Sequence, residues 1–292
     1  MCLIALAWQT RAGWPLMIAA NRDEFFNRET RSSHWWERDP RILAGQDLAA
    51  GGTWMGITRD GRFAALTNVR QPGAAPAQRS RGELVARWLG GPREQSPLAA
   101  AQEAFDQGAE FGGFHLLLGS LGALPSSNPT APGLVWTCNR ARGEPRIVDP
   151  GVWAWSNGEP DHDWPKTRRL RAAMDSATRH TALDASHESP IVTMLLDALT
   201  DSSQAPDEQL PVTGIGLERE RRLSAAFIPA HPLINGNIYG TRSSTIVRVA
   251  SDATVTWLER SFASDGSHID RSDLFQMHPT PYGELVSESV AT

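Results

Sequence analysis

The residues best suited to chemistry are Cys2 and the polar segment Asn-Arg-Asp-Glu at positions 21–24. Removal of Met1, which the small side chain at position 2 permits, would make Cys2 the first residue. Its thiol would then be a nucleophile, and its own α-amine, with a reference pKa of about 7.7–8.0, would be a general base within reach. One residue would supply both groups, as in N-terminal nucleophile hydrolases. The alternative is that Cys2 is a small buried hydrophobe on a strand.

The polar segment follows an apolar run, which indicates that it closes a strand. Alternation along a strand places Asn21 and Asp23 on one face and Arg22 and Glu24 on the other. A hairpin would bring this strand beside the one that begins at Cys2. We therefore expect Asn21 and Asp23 to face the α-amine, with Asp23 orienting it, while Arg22 and Glu24 face away and pair with each other. A turn closed by an arginine–carboxylate pair is the alternative, but it explains only one acid and one amide.

Hairpins separated by pairs of helices must position these groups. The pattern predicts strands at 2–8, 15–20, 53–57, 62–68, 114–119, 133–139, 152–157, 238–249 and 254–259. It predicts helices that start at the capping box Ser80-Arg-Gly-Glu83, at Ser96-Pro97, at Asp163 before Trp164-Pro165 and at Ser189-Pro190. Residues 125–132 are predicted to form a surface loop. This order favours an α+β fold over a βαβ arrangement.

Composition limits the classes of protein to which the chain can belong. Its 292 residues, 40% hydrophobic and 21% charged, fit a single globular domain over 1–292, in which about the last 30 residues could form a peripheral tail. The net charge of −5 without a basic stripe argues against a nucleic-acid partner. Two cysteines, no signal peptide and no apolar run near ~18 residues predict a cytoplasmic protein without a membrane span. No metal or cofactor motif is present, so we predict neither a metal nor a cofactor.

Five segments together resemble the NRDE family, also called the Transport and Golgi organisation protein 2 family. They are "ANRDEFFNR", "GGTWMGITRDGRFAALTNVR", "SRGELVARWL", "WSNG…WPK" and "YGTRSST", and with Cys2 they extend to about Val249. The family resembles N-terminal nucleophile hydrolases of the choloylglycine hydrolase and penicillin V acylase type. The resemblance implies an α+β fold, a four-layer αββα sandwich of two antiparallel sheets.

The resemblance also implies roles for particular residues. Cys2 matches the nucleophile of those acylases, and Asp23 matches the acid that contacts the amine of the nucleophile. Asn68 in "LTNVR" and Asn157 in "WSNG" resemble the amides that hold the oxyanion, and such amide side chains suit a site where negative charge develops. Arg242 in "YGTRSST" resembles a late-strand arginine. A strand-end turn is the alternative for each asparagine, and a surface cation is the alternative for Arg242.

The sequence departs from the acylases at one position. The arginine that they carry beside the thiol falls on Ala20 here. Arg22 follows two residues later, and we expect it to point to the other face of the strand. An arginine next to the nucleophile is therefore not expected from the sequence.

Two functions follow from these residues. The first is an N-terminal cysteine hydrolase that acts on an amide or thioester of a small acyl substrate. The alternative is a non-catalytic carrier for haem, lipid or acyl-CoA, because the family is associated with haem and lipid handling and with Golgi organisation. Trp54 and Trp155 are candidates to line a pocket for an acyl or hydrophobic ligand, although a place in the hydrophobic core is as plausible for both. The sequence leaves a homo-oligomer open.

Overall fold

A computed structural model describes residues 2–121, 133–141, 143–160, 162–180, 186, 188–233 and 236–278. The strands are β1 (Cys2–Trp8), β2 (Leu16–Phe25), β3 (Thr30–Trp35), β4 (Ile42–Asp47), β5 (Met55–Thr58), β6 (Arg62–Asn68), β7 (Phe114–Ser120), β8 (Leu134–Cys138), β9 (Arg146–Ile147), β10 (Gly151–Trp155), β11 (His231–Pro232), β12 (Ile238–Val249), β13 (Thr254–Phe262) and β14 (His268–Gln276). The α-helices are α1 (Gly82–Gly90), α2 (Pro97–Asp106), α3 (Pro165–Arg179), α4 (Pro190–Leu199) and α5 (Leu217–Leu223).

The strands form two antiparallel sheets of seven strands each. The first sheet has the order β10-β1-β2-β12-β13-β14, with β11 added beside β12. The second sheet runs β3-β4-β5-β6-β7-β8-β9, so each strand pairs with its neighbours in the chain. The first sheet therefore joins strands from both ends of the sequence, whereas the second is a simple meander.

Three hydrophobic clusters define four layers. One lies between the sheets and joins Leu6 and Ile18 of the first sheet to Phe63 and Leu117 of the second. The helices α3 and α4 cover the outer face of the first sheet, and α1 and α2 cover that of the second. Removing a leucine or phenylalanine of this kind from water contributes about 1.5–3 kcal/mol to folding. The fold is an αββα sandwich within an α+β class, as the sequence predicts.

All four predicted helices are present, and their predicted caps agree with the structure at two of four positions. Ser96 and Ser189 cap α2 and α4 through hydrogen bonds to Ala99 N and Val192 N. The capping box at Ser80 is wrong, because α1 starts with no side-chain cap and Glu83 instead bonds Arg79 and Arg87. Asp163 does not cap α3 either. The N-cap there is Trp164, and the Asp163 carboxylate pairs with Arg171 at 2.6 Å.

The strand predictions fail where polar residues or long connections conceal the pattern. The second strand was expected to end at residue 20, but β2 continues to Phe25 because β12 pairs with it along its whole length. Five strands were not expected, namely β3, β4, β9, β11 and β14. Strand β14 forms an edge of the first sheet within the last 30 or so residues. The predicted loop at 125–132 lies outside the described residues.

Candidate functional site

The polar segment at 21–24 lies inside β2, between β1 and β12. The backbone of Cys2 directly opposes Arg22 across the β1–β2 pair. On the other side Asp23 opposes Thr241, and the register then shifts so that Arg242 is the extra residue of a β-bulge. Directly opposed residues of antiparallel strands have Cα atoms about 4.5–5.5 Å apart. The start of β1 therefore lies beside Arg22.

Asn21 joins the first sheet to the helices that cover it. Its side-chain amide donates to the carbonyl oxygens of Leu199 and Ala226, at 2.7 and 2.8 Å. Its Oδ1 accepts a hydrogen bond from Ser244 at 2.6 Å. The side chain is buried, and these three bonds make Asn21 a link between β2, β12 and the end of α4.

Asp23 is buried on the same side of β2. Its Oδ1 accepts a hydrogen bond from Thr241 Oγ1 at 2.7 Å, and the same hydroxyl accepts from Ile228 N at 2.9 Å. Burial raises the pKa of Asp23, an effect that the charge of Lys166 partly offsets. Lys166 itself is fully buried in the first turn of α3. The aspartate thus lies at a point where a carboxylate and an ammonium have both been removed from water.

Arg22 occupies the opposite face of β2, which looks toward the second sheet. Its guanidinium stacks over the Trp54 ring at 4.2 Å and lies 4.0 Å from the Glu24 carboxylate. Ala20 packs in the cluster between the sheets, and Trp54 packs against that same cluster. Arg22 therefore faces away from Asn21, as the alternation predicts, and it shares the face of Ala20, because residues two apart on a strand share a face.

A cavity of about 630 Å³ opens beside the second half of β2. Four of the residues predicted from the sequence line it: Arg22, Asp23, Trp54 and Asn68. Four others do not: Asn21, Asn157, Trp155 and Arg242. The charged residues on its walls comprise five arginines and three acids, namely Arg22, Arg28, Arg70, Arg79, Arg81, Asp23, Glu24 and Asp47. The site is polar and carries an excess of positive charge.

A close backbone contact shapes one wall of this cavity. Gly52, just before β5, lies against the start of α1. A Cβ added at Gly52 would lie 2.5 Å from the backbone carbonyl carbon of Gly82. The amide of Thr53 donates to the Gly82 carbonyl at 3.2 Å, and both Thr53 and Gly82 line the cavity. Glycine at position 52 is thus required for the helix to approach the strand.

Asn157 supports the cavity from behind. Its buried side-chain amide donates to the carbonyl of Asn68 at 3.0 Å, and its Oδ1 accepts from Lys166 Nζ at 3.4 Å. Its backbone carbonyl accepts from Arg70 N at 2.8 Å. These bonds tie the end of β10 to the chain that leaves β6. Asn68 lines the cavity, whereas Asn157 does not line it and contacts Asn68 from behind.

Arg242 holds the turn that follows β2. Its Nη1 donates to the carbonyls of Phe25, Phe26 and Arg28, and its guanidinium lies 4.8 Å from the Phe26 ring centre. Burial lowers the pKa of Arg242, and the charge of Arg22 acts in the same direction. The side chain of Arg242, the extra residue of the β-bulge, therefore points toward the backbone of the turn that follows β2.

Trp155 belongs to a row of indoles on the side of β10. Its ring stacks with Trp136 and Trp153 at centroid distances of 6.5 and 6.3 Å. It is half-buried and packs against the core between the sheets. The sequence placed Trp54 and Trp155 in one pocket, whereas the structure brings only Trp54 to the cavity.

Sequence reasoning missed three residues of the site. Arg70 lines the cavity and pairs with Glu220 at 2.6 Å, Lys166 faces Asp23, and Thr241 bonds Asp23. Lys166 carried a signal, since a lysine in the first turn of a helix opposes the helix dipole and needs a nearby anion. Arg70 and Thr241 lie within segments that carry the family resemblance, but nothing local indicated their roles, because their partners lie far away in the chain.

The described part of the chain has neither a metal-binding cluster nor a membrane-spanning helix. No group of three histidine, cysteine, aspartate or glutamate side chains there has a geometry suited to a metal ion. None of the described helices is long and apolar enough to cross a membrane.

The fold and the cavity define an αββα sandwich protein with a polar site at the end of its second strand. The chain belongs to the Transport and Golgi organisation 2 family, whose profile matches residues 1–264. It is 31% identical to the mouse Transport and Golgi organization 2 homolog over 89% of this chain and 93% of the mouse protein. The chain is also 31% identical to the human Transport and Golgi organization protein 2 homolog, over 92% of this chain and 96% of the human protein.

Solved structures with similar folds are far more distant in sequence. A variant of conjugated bile acid hydrolase from Clostridium perfringens has 8% identity and a TM-score of 0.44, and covers 95% of this chain and 98% of its own. The Caenorhabditis elegans ortholog of N-acylethanolamine-hydrolyzing acid amidase has 9% identity and a TM-score of 0.39, with 84% and 92% covered.

Proposed function

We propose that this protein is an N-terminal cysteine hydrolase that acts on an amide or thioester of a small acyl substrate. The observation that carries the proposal is the register of β1 with β2. It sets the backbone of Cys2 opposite Arg22, and Arg22 and Asp23 line the large cavity. Removal of Met1 would leave a free α-amine and a thiol on one residue at this end of the strand.

The proposed reaction proceeds in two halves. The Cys2 sulfur attacks the carbonyl carbon as its proton passes to the α-amine, which gives a tetrahedral oxyanion. The oxyanion collapses, the ammonium returns the proton to the leaving amine or thiolate, and an acyl thioester remains on Cys2. Water then attacks the thioester with the α-amine as base, releases the carboxylic acid and restores the thiol.

Neighbouring residues would stabilise charge in this reaction. Asp23 would hold the α-amine in its cationic form, and Asn68 would donate to the oxyanion because it lines the cavity. Asn157 would position the chain at Asn68 through its hydrogen bond to that carbonyl. Arg242 would fix the rim of the cavity through its bonds to the turn after β2.

A carrier without turnover is the second candidate, and the orientation of Asn157 favours it. The amide of Asn157 donates inward to the Asn68 carbonyl, and the residue does not line the cavity. One of the two amides expected at the oxyanion is therefore engaged elsewhere. In this case the same cavity would bind an acyl, lipid or haem-like ligand and release it unchanged.

Intact-protein mass spectrometry and cysteine labelling test the hydrolase. We expect loss of Met1, and we expect iodoacetamide to label Cys2 faster than Cys138 at neutral pH. Cys138 is buried, and burial raises the pKa of its thiol, so little thiolate forms there. N-acetylcysteamine thioesters of different acyl length, followed by thiol release, then serve as substrates for wild type, Cys2→Ala and the control Cys138→Ala.

The outcomes separate the two candidates. Turnover that Cys2→Ala abolishes and Cys138→Ala retains supports the hydrolase. A retained Met1 blocks the α-amine and rules the hydrolase out. Processed protein that binds these thioesters without releasing thiol identifies the carrier.

A further inference from the structure

Two arginines with buried side chains at the cavity have hydrogen-bond donors that no described residue satisfies. Arg22 Nη1 has no acceptor, and neither do Nε and Nη2 of Arg70, within the residues that the structure describes. Each side chain is only 6% exposed. Buried donors that carry charge are rarely left without a partner, because removing them from water is unfavourable.

The contacts that these arginines do make hold them in position. Arg22 stacks over Trp54 at 4.2 Å, and its nearest acid, Glu24, is 4.0 Å away and so beyond hydrogen-bond range. Arg70 stacks over Trp164 at 4.6 Å, and its Nη1 alone bonds the Glu220 carboxylate. In both cases an indole fixes the guanidinium plane and leaves donors along its edge.

The other arginines on the cavity wall are already engaged. Arg28 pairs with Asp47 at 2.7 Å, and Arg79 bonds Glu83 and Glu110. Arg81 donates to the Gly113 carbonyl at 3.1 Å. Among the described residues, the buried arginine donors on this wall that lack an acceptor are therefore those of Arg22 and Arg70, and both residues line the same cavity.

We propose that Arg22 and Arg70 together bind an anionic oxygen group, a carboxylate or a phosphate, of the ligand that occupies the cavity. The forked donors of arginine match the paired oxygens of such groups. This inference names the substrate class for the site of the proposed function and rests on it for the location. It does not depend on whether the ligand is then hydrolysed.

A second cavity specifies the remainder of the ligand. It has a volume of about 330 Å³ and shares Arg70 and Gln71 with the first. Apolar side chains contribute much of its wall, namely Phe25, Pro72, Ile215, Leu223 and Leu233. A ligand whose anionic group is bound between Arg22 and Arg70 would extend an apolar chain past Arg70 into this space. The site thus fits a small amphiphilic anion.

Calorimetric titration with unreactive probes tests this class. Octanoate, octyl phosphate and octanol share one alkyl chain and differ in the head group. We expect one or both anions to bind wild-type protein at least about tenfold more tightly than octanol. The anion that binds more tightly shows whether the site prefers a carboxylate or a phosphate head group. Arg22→Met or Arg70→Met should weaken the preferred anion by about ten- to hundredfold, as expected for charge-assisted bonds.

The matched control is Arg59→Met. Arg59 is also an arginine stacked on an indole, 3.8 Å from the Trp35 ring, but it is exposed and lies outside both cavities. Its replacement should leave anion binding unchanged. Arg22→Lys and Arg70→Lys keep the positive charge but lose the forked donors. Thermal melting of every variant shows whether the fold is retained. The lysine variants should bind more weakly than wild type and more tightly than the methionine variants.

The same titrations on Cys2→Ala keep this inference separate from catalysis. If Cys2→Ala still prefers the anions to octanol and the wild-type protein shows no turnover, the proposal that Arg22 and Arg70 bind an anion stands and the proposed hydrolase function is wrong. Octanol that binds as tightly as both anions, or folded methionine variants that bind the anions like wild type, would overturn the inference.

Discussion

The two faces of β2 handle polar groups in opposite ways. On the helix-covered face, Asn21 makes three hydrogen bonds at 2.6–2.8 Å and leaves no side-chain polar atom without a partner. On the face toward the second sheet, Arg22 is almost as deeply buried, yet its Nη1 has no acceptor among the described residues. Asn21 and Arg22, adjacent residues of one strand, thus differ in whether their side-chain polar atoms have partners within the described protein. Satisfied polar groups hold the layers together, whereas an unsatisfied cation at a cavity indicates where a ligand binds.

The strongest test of this contrast is Asn21→Ala. It removes three buried hydrogen bonds that join β2, β12 and the helix layer, so we expect the free energy of unfolding to fall by about 3 kcal/mol or more. Urea denaturation measures the loss. Asn27→Ala is the control, since Asn27 makes only an exposed bond to Asn237, and it should change stability by less than about 0.5 kcal/mol. A small loss in Asn21→Ala would mean that the link is not structural.

Asn157→Ala should have the next largest effect. The change removes the bonds to the Asn68 carbonyl and from Lys166 Nζ inside the protein, and we expect a loss of about 2 kcal/mol. The exposed Asn237→Ala is the comparison in the same denaturation experiment. Unchanged stability together with impaired turnover would instead place the Asn157 amide at the reacting carbonyl.

Asp23→Asn should change how stability depends on pH. Burial raises the pKa of Asp23, so the folded protein keeps this proton to a higher pH than the unfolded chain does. From the unfolded pKa of about 3.9 up to the raised folded value, the folded state binds more protons, and the contribution of Asp23 to stability declines as pH rises. Asparagine does not titrate. The stability of Asp23→Asn relative to wild type should therefore increase with pH over that interval and then level off.

Asp252→Asn supplies a control of opposite sign. Asp252 accepts the backbone N–H of Thr254, and this bond lowers the pKa of Asp252. Its contribution is present above the unfolded pKa and is lost as pH falls through the folded value. A relative stability of Asp23→Asn that stays flat or decreases as pH rises would show that Asp23 is ionised without penalty. Slower alkylation of Cys2 in Asp23→Asn would separately support its role beside the α-amine.

Arg22→Met should have the smallest effect on stability. Methionine fills similar space over Trp54 and removes a buried cation whose Nη1 has no described acceptor, so we expect a change within about 1 kcal/mol or a gain. Thermal melting beside Asn21→Ala gives the direct comparison. A loss as large as that of Asn21→Ala would show that the pair of Arg22 with Glu24 holds the strand end, as the sequence alone suggested.

Much of the fold could be predicted from local patterns. Short apolar strands and the Ser-Pro helix starts at Ser96 and Ser189 depend on neighbours in the chain, and the structure has them. The four layers came from the family resemblance. Strand β2 was predicted too short because its polar second half is stabilised by β12, which lies more than 200 residues away.

The site could be predicted only in part for the same reason. Residue types pointed to the segment at 21–24, of which Arg22, Asp23 and Glu24 line the cavity, and the family resemblance pointed to Asn68, which also lines it. Which face each side chain takes, and that Lys166, Arg70 and Thr241 join them, depends on contacts across the two sheets. No spacing in the sequence encodes such contacts.

The pairing of β2 with β12 also determines when the site can form. Asp23 and Thr241 are separated by 218 positions in the chain. During synthesis the hairpin of β1 and β2 emerges early, but the edge of β2 that carries the polar segment stays open until β12 follows. Folding of the first sheet is therefore a late, non-local and comparatively slow event. In nascent chains this open edge presents unpaired backbone N–H and C=O groups to which another strand can bind.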